Sequence, residues 1–208
     1  MPTLTLPAPP RLILGSTSAY RHELLQRLRL PFEVVAPQVD ESVRPEELPA
    51  DLALRLALEK AQEVALRVAL RYPDAVVIGA DQVADLDGEA IGKPGSFERA
   101  LAQLQRLRGR SVVFHSAVAV VRRATGFAQT LSAPVTVRFR PLSDAEIERY
   151  LRLEQPYDCA GSAKCETLGI SLLDSIHSDD PTALVGLPLI RTSALLRACG
   201  LDALAVAP

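Results

Sequence analysis

The order in which apolar runs and amphipathic segments follow one another constrains this chain more than any other feature. Arg11-Leu12-Ile13-Leu14-Gly15 is a short apolar run that reads as a buried first strand. A small polar turn, Ser16-Thr17-Ser18, follows, and residues 20–28 then place Leu24, Leu25 and Leu28 on one helical face. Residues 32–35 predict a second strand, running into an acidic loop, Asp40-Glu41, and a proline-rich stretch that ends at Pro49. Residues 51–70 predict a long helix, because Leu54, Leu58, Ala61, Ala65 and Val68 recur at spacings of three and four. Ala75-Val76-Val77-Ile78-Gly79 predicts a fully apolar strand that ends at Asp81. Ser96 is placed to cap a helix through Leu107, which Gly109 stops. Two β-rich runs, 111–121 and 130–140, lie either side of Gly126 and predict an antiparallel pair. Ser143-Asp144-Ala145-Glu146 is a capping box opening a helix to Leu153, and a last helix over 192–199 ends at Gly200. Strands alternating with helices, plus a central hairpin, specify an α/β protein with a mixed sheet.

Composition narrows the function. At 208 residues, 48% hydrophobic and 23% charged, the chain has the make-up of a globular domain, or of two lobes sharing a core. Lys+Arg 23 against Asp+Glu 25 leaves a formal charge of -2, too balanced for a nucleic-acid polymer or an anionic membrane surface. No apolar run has the length of a membrane span. Residues 1–10 carry four prolines and no basic segment, so they read as a flexible leader preceding a single domain over 11–208. Three cysteines, Cys159, Cys165 and Cys199, make an odd count without a CxxC pair, which argues for a reducing cytoplasm.

No phosphate loop, GxGxxG, HExxH or GxSxG is present, and His22, His115 and His177 are scattered. His115, within an apolar strand, reads as a structural residue. What remains is polar residues at the ends of apolar elements. Gly15-Ser16-Thr17-Ser18 lies between strand and helix, where free N–H groups favour an anion, and Arg21 one turn later can fork onto phosphate oxygens. A serine cap beside a solvated arginine would use the same residues. Asp81 closes an apolar strand, where a carboxylate costs free energy unless it is paired, holds a metal or does chemistry; capping a turn is the alternative. The chain has 20 Arg but only three Lys, and no Asn. Two of those lysines, Lys93 in Gly92-Lys93-Pro94 and Lys164 in Gly161-Ser162-Ala163-Lys164, stand in small-residue turns; Lys60 follows Glu59. An ammonium is a compact point charge, so their survival predicts that all three line one anionic cleft.

Leu14-Gly15-Ser16-Thr17-Ser18-Ala19-Tyr20-Arg21, Asp40-Glu41, Glu59-Lys60-Ala61, Ile78-Gly79-Ala80-Asp81-Gln82-Val83, Gly92-Lys93-Pro94 and Cys159-Ala160-Gly161-Ser162-Ala163-Lys164 resemble, in that order, the motifs of the Maf-like nucleoside triphosphate pyrophosphatases. The resemblance covers residues 11–201. It implies an α/β fold with an elongated mixed β-sheet flanked by helices, two lobes and a central cleft, similar to the inosine triphosphate pyrophosphatases. It implies hydrolysis of a nucleoside triphosphate between the α and β phosphates with a divalent metal, Mg²⁺ or Mn²⁺. On the same basis Asp81 is the catalytic base, Asp81 and Glu41 are the metal candidates, and Ser16, Arg21, Lys60, Lys93 and Lys164 bind phosphate. For Glu41, an exposed loop glutamate beside Asp40 is the alternative. Asp81-Gln82-Val83 and Glu166 resemble the 7-methyl-GTP pyrophosphatase subfamily, in which the positions of Tyr20, Gln82 and Glu166 set base specificity. Tyr20 stands where that subfamily often has Trp, and His22 where it has a second Arg. A dTTP/UTP pyrophosphatase and a nucleotide-binding regulator of septum formation are the competing implications, and a homodimer is left open.

Overall fold

The computed structural model describes residues 10–205. The expected leader over residues 1–10 therefore falls, apart from Pro10, outside the described residues. Twelve regular elements follow one another: β1 (Leu12–Gly15), α1 (Ala19–Gln26), β2 (Phe32–Val34), α2 (Pro49–Arg67), β3 (Val76–Leu86), β4 (Glu89–Ile91), α3 (Phe97–Leu107), β5 (Ser111–Arg122), β6 (Phe127–Phe139), α4 (Asp144–Glu154), β7 (Leu173–His177) and α5 (Leu189–Ala198). The caps are those the sequence specified. Ser18, Ser96 and Ser143 each accept from the backbone N–H three residues on, and Glu146 completes the capping box. The last helix begins at Leu189 rather than at residue 192.

The strands form one mixed sheet in the order β2-β1-β3-β5-β6-β7, with β4 also on β3. β1 pairs in parallel with β2 and β3, and every other pairing is antiparallel. β3 does not end at Asp81. It continues to Leu86, because Asp81 to Asp85 remain paired with β5, from Asp81↔Ala117 to Asp85↔Val113. A polar residue inside a continuous strand reads, in sequence, like a strand end. The element that does stop at this level is β1, whose last pair is Gly15↔Gly79. On the same side of β3, pairing resumes only at Ala84↔Ile91 with β4. Residues 80–83 thus face a gap between two strands, and the cleft opens there.

The core is divided in a way that matches two lobes. On one face Leu12, Leu14 and Ile78 pack with Leu24 of α1 and Leu195 of α5. On the opposite face Ile13, Val77 and Ala119 pack with Leu56, Ala57 and Ala61 of α2. The far lobe assembles Ala84, Leu104, Phe114, Val135, Phe139 and Leu151, with α3 and α4. Helix α2 lies unusually close to β3. A Cβ on Gly79 would overlap Ala57 O and stand 2.6 Å from Ala61 N, so only glycine admits the helix at this depth.

Candidate active site

That close approach carries Lys60, on α2, into contact with Asp81, which alternates with Gly79 on the α2-facing side of β3. Lys60 Nζ stands 2.7 Å from Asp81 Oδ1 and 2.8 Å from Glu41 Oε1. Lys60 and Asp81 are 5% and 7% exposed, so the ammonium and carboxylate hold each other in place of water. Glu41 comes from a loop without regular structure, and side chains of α2 strap that loop down. Arg55 makes a two-pronged pair with Glu47, 2.5 and 2.8 Å, and donates to Glu59 and to Ser42 O. Arg44 reaches Glu59 from the loop itself at 2.8 Å. The hydrogen bonds from Arg55 pull the Glu47 carboxyl down to about 2.

Ser16 and Arg21 sit across the gap. Ser16 Oγ accepts from Ser18 N–H at 3.2 Å and from Arg21 Nη1 at 3.4 Å. Arg21 Nε donates to Gly186 O at 2.9 Å. Burial lowers the Arg21 guanidinium from its ordinary value, opposed by the charges of Asp81 and Glu41. Ser18 thus caps α1, as the simpler reading of the turn has it, but Arg21 does not stand solvated beside it: it bonds Ser16 Oγ and Gly186 O.

These groups line a cleft of about 800 Å³ together with Tyr20, Gln82, Lys93 and Glu166. That volume lies within the span typical of small-molecule sites. Lys93 is exposed at the mouth. Lys164, by contrast, is not among the lining residues: its Nζ lies over the Tyr20 ring, 5.6 Å from the centroid, and 3.5 Å from Glu154 Oε1. Two of the three lysines thus line the cleft and the third supports a wall residue. Burial, then the neighbouring Cys159 and Asp158, raise the Tyr20 phenol to about 12. Burial likewise raises the thiols of Cys159 and Cys165 to about 11 and about 12, so neither is poised as a nucleophile. His115 is paired with Asp85 at 3.0 Å, on the α2-facing side of the sheet, and His22 packs edge-on against Phe32.

Gln82 points to the other face of the sheet, where Nε2 meets Ser116 Oγ and the carbonyls of Ala183 and Leu184. Ser116, Arg55, Asp180 and Gln103 escaped the reading of the sequence. Gln103 ties the two small-residue turns together, accepting from Ser162 Oγ at 2.6 Å and donating to Gly92 O at 3.0 Å. Ser116 alone left a trace, as a lone hydroxyl inside an apolar strand.

Among the described residues no three His, Cys, Asp or Glu side chains converge as a metal site. Two carboxylates do converge, on Lys60. In chemistry this all-oxygen donor pair is of the kind Mg²⁺ uses when phosphates and water supply its other ligands, while the point where the two carboxylates converge is held by the Lys60 ammonium.

Residues 11–199 match the model of the family described as "Maf-like protein". A protein of Albidiferax ferrireducens named 7-methyl-GTP pyrophosphatase is 63% identical over 194 residues, 93% of this chain and 96% of that one. Proteins of the same name from Polaromonas sp. and Bordetella pertussis are 61% and 57% identical. Their alignments cover 95% and 94% of this chain, and 89% and 96% of the relatives. With the match spanning the sheet, both lobes and every wall of the cleft, the chain belongs to the Maf-like protein family.

Proposed function

We propose that this chain hydrolyses 7-methyl-GTP to 7-methyl-GMP and pyrophosphate. The observation that carries the reading is a single cleft with the buried Asp81–Lys60 pair and the exposed Glu41 at one end and Tyr20 with Glu166 at the other. The relatives' shared name supports the choice of base.

Asp81 accepts a proton from water as the water oxygen attacks the α-phosphorus. The bond from that phosphorus to the α,β-bridging oxygen breaks, and pyrophosphate departs with the bonding electrons. Ser16, Arg21, Lys60 and Lys93 hold the phosphates, and the positive charge of Arg21 and the two lysines offsets the charge growing on the leaving group. A divalent cation, Mg²⁺ or Mn²⁺, held by Asp81 and Glu41 would supply further charge neutralisation. At the far end Glu166 accepts from the guanine N1–H and amino group, and Tyr20 offers its ring to the cationic methylated imidazole. Lys164 steadies that ring from its position beside Glu154. The three free thiols suit a reducing cytoplasm.

Pyrophosphate release measured over 7-methyl-GTP, GTP, dTTP and UTP tests the reading. The expected kcat/KM is highest for 7-methyl-GTP, lower for GTP and lowest for the pyrimidines. A maximum for dTTP or UTP overturns the base assignment, and release from none of the four overturns the reaction.

A further inference from the structure

Helix α3 buries Ala100, Leu104 and Leu107, and Gln103 stands on the same face, three residues from the first and four from the last. A primary amide on a core-facing stripe costs free energy unless it is hydrogen-bonded, and this one is bonded at both ends. Gln103 Nε2 donates to Gly92 O at 3.0 Å, and Gln103 Oε1 accepts from Ser162 Oγ at 2.6 Å. The orientation of the amide follows, since only its NH₂ end can face a carbonyl oxygen. Neither Gln103 nor Ser162 is among the residues that line the cleft. They stand behind it, and the two segments they join carry residues from its opposite ends.

The first segment, residues 92–95, links β4 to α3 and presents Lys93 at the mouth. Pro94 is buried and roots the turn, but the direction of Lys93 depends on the peptide before it. Gly92 O belongs to that peptide, whose planarity fixes the Lys93 N and Cα along with it. A Cβ on Gly92 would meet nothing within 4 Å, so it is the bond from Gln103, not packing at Gly92, that holds the plane. At the far end of the turn Gly95 N–H donates to Tyr157 O at 3.0 Å, which ties it to the second segment as well. That segment, residues 157–166, brings Cys159, Ala160, Ala163 and Glu166 to the base end. Gly161 and Ser162 hold φ 70 and φ 55 in succession. Ser162 has no exposed surface; its N–H donates to Cys159 O at 3.2 Å, and its hydroxyl goes to Gln103. A side chain at positive φ is costly, and the bond to Gln103 offsets that cost.

We infer that Gln103 is a positioning residue for both ends of the substrate: its amide nitrogen sets Lys93 on the phosphates through Gly92, and its amide oxygen sets the base wall through Ser162. The inference rests on the proposed reading, in which Lys93 grips phosphate and Tyr20 with Glu166 meets the base. The two arms are separable because they leave from different atoms. Losing the nitrogen arm weakens the grip on any polyphosphate equally. Losing the oxygen arm loosens discrimination between bases and leaves the phosphates held.

The test uses the full chain and inorganic pyrophosphate as the probe. Pyrophosphate binding is titrated calorimetrically in the presence of Mg²⁺, and kcat/KM is measured for 7-methyl-GTP, GTP and UTP. Lys93→Ala is expected to weaken pyrophosphate binding about 10- to 100-fold, the worth of a charge-assisted hydrogen bond, with the nucleotide ratios unchanged. Gln103→Met, close in shape but without either polar arm, is expected to weaken pyrophosphate binding about 3- to 10-fold. It is also expected to shrink the preference for 7-methyl-GTP over UTP by about 3- to 10-fold. Ser162→Gly, which removes the hydroxyl and adopts the same φ freely, should shrink that preference alike and leave pyrophosphate binding as in the wild type. In the Lys93→Ala background Gln103→Met costs pyrophosphate binding nothing further. Should Gln103→Met fail to fold, Gln103→Glu takes its place, keeping the acceptor for Ser162 and losing the donor to Gly92. Its added charge acts with or without Lys93 and cancels in the double-mutant cycle, so coupling to Lys93 with an unchanged nucleotide preference is the expected result. An amide that only stabilised the fold would lower the active fraction, and so kcat on every nucleotide alike, with pyrophosphate affinity and nucleotide ratios untouched. That outcome overturns the inference, as does full additivity with Lys93→Ala. Wild-type pyrophosphate binding in Lys93→Ala overturns instead the phosphate reading beneath it, and a wild type without preference for 7-methyl-GTP over UTP overturns the base reading. Both are seen without any Gln103 variant.

Discussion

The two ends of the cleft are built from different materials. At the reaction end, Asp81 and Lys60 stand on a long strand and a long helix, both buried, each the other's counter-charge. At the base end, Tyr20 begins a helix, but its neighbours Cys159, Ala160, Ala163 and Glu166 come from turns, and Glu166 is exposed. Ser162 there holds φ 55, a conformation uncommon outside glycine, sustained by its hydrogen bond to Gln103. A buried charge must be fixed by regular elements because misplacement leaves it unpaired in a low-dielectric interior. A base-recognition surface faces water and tolerates loops, where substitutions change selectivity without unfolding the sheet.

The sharpest way to break this contrast is at Asp81. Asp81→Asn keeps the shape and a hydrogen bond to Lys60 but cannot take a proton. The expected loss in kcat is about 10² to 10⁴-fold, with nucleotide binding retained. A wild-type rate of pyrophosphate release would move the proton acceptor elsewhere, with Glu41 the nearest carboxylate on Lys60.

Gly79→Ala probes the scaffold beneath the same end. Its methyl group would meet the α2 backbone at Ala57 and Ala61, which has no flexible side chain to yield. The expected destabilisation is about 3 kcal/mol, the upper part of the range for overpacking, read as a fall in thermal midpoint. Activity should fall further than stability explains, because α2 carries Lys60. A variant as stable and as active as the wild type would mean that the depth of α2 does not set the site.

Legibility in the sequence followed the same division. The strand–turn–helix at Ser16, the α2 stripe and the caps were readable because periodicity and capping act over a few residues. Asp81 was found for a reason that the structure revises. A polar residue after an apolar run reads as the strand's end, whereas β3 runs on to Leu86 beside β5 and it is β1 that stops, a fact of pairing between strands over sixty residues apart in sequence. Lys164 had the right neighbourhood but the wrong surface, since proximity to small residues says nothing of which way an ammonium turns. Arg55, Gln103 and Ser116 act through contacts with distant loops, and no local pattern marks such partners. β4 and β7, at 3 and 5 residues, are too short to show a period.

At the base end, Glu166→Gln replaces an acceptor-only carboxylate by an amide. The preference for 7-methyl-GTP over UTP is expected to shrink about 10- to 100-fold, the worth of one charge-assisted hydrogen bond, with little change in thermal midpoint. Parallel losses on both nucleotides would place Glu166 outside base recognition.

The smallest expected effect separates the loop that brings Glu41 to the reaction end from the elements that need no strap. Glu47 holds that loop to α2 through Arg55, and its carboxyl is depressed from 4.5 to about 2, chiefly by the hydrogen bonds from Arg55. A carboxyl depressed on folding binds its proton more readily in the unfolded chain. Its contribution to stability is therefore complete above the unfolded value and fades as the pH falls from about 4.5 towards about 2. Thermal midpoints of wild type and Glu47→Gln, compared between pH 6 and pH 2 at low salt, should differ most at the upper end and converge at the lower. At neutral pH the variant should also lose activity, as Arg55 is left with Ser42 O alone to hold the loop, beside the Arg44–Glu59 pair. A constant difference across that range would show that the strap works through packing rather than through charge, and would put the Glu41 loop on the same footing as the buried end of the site.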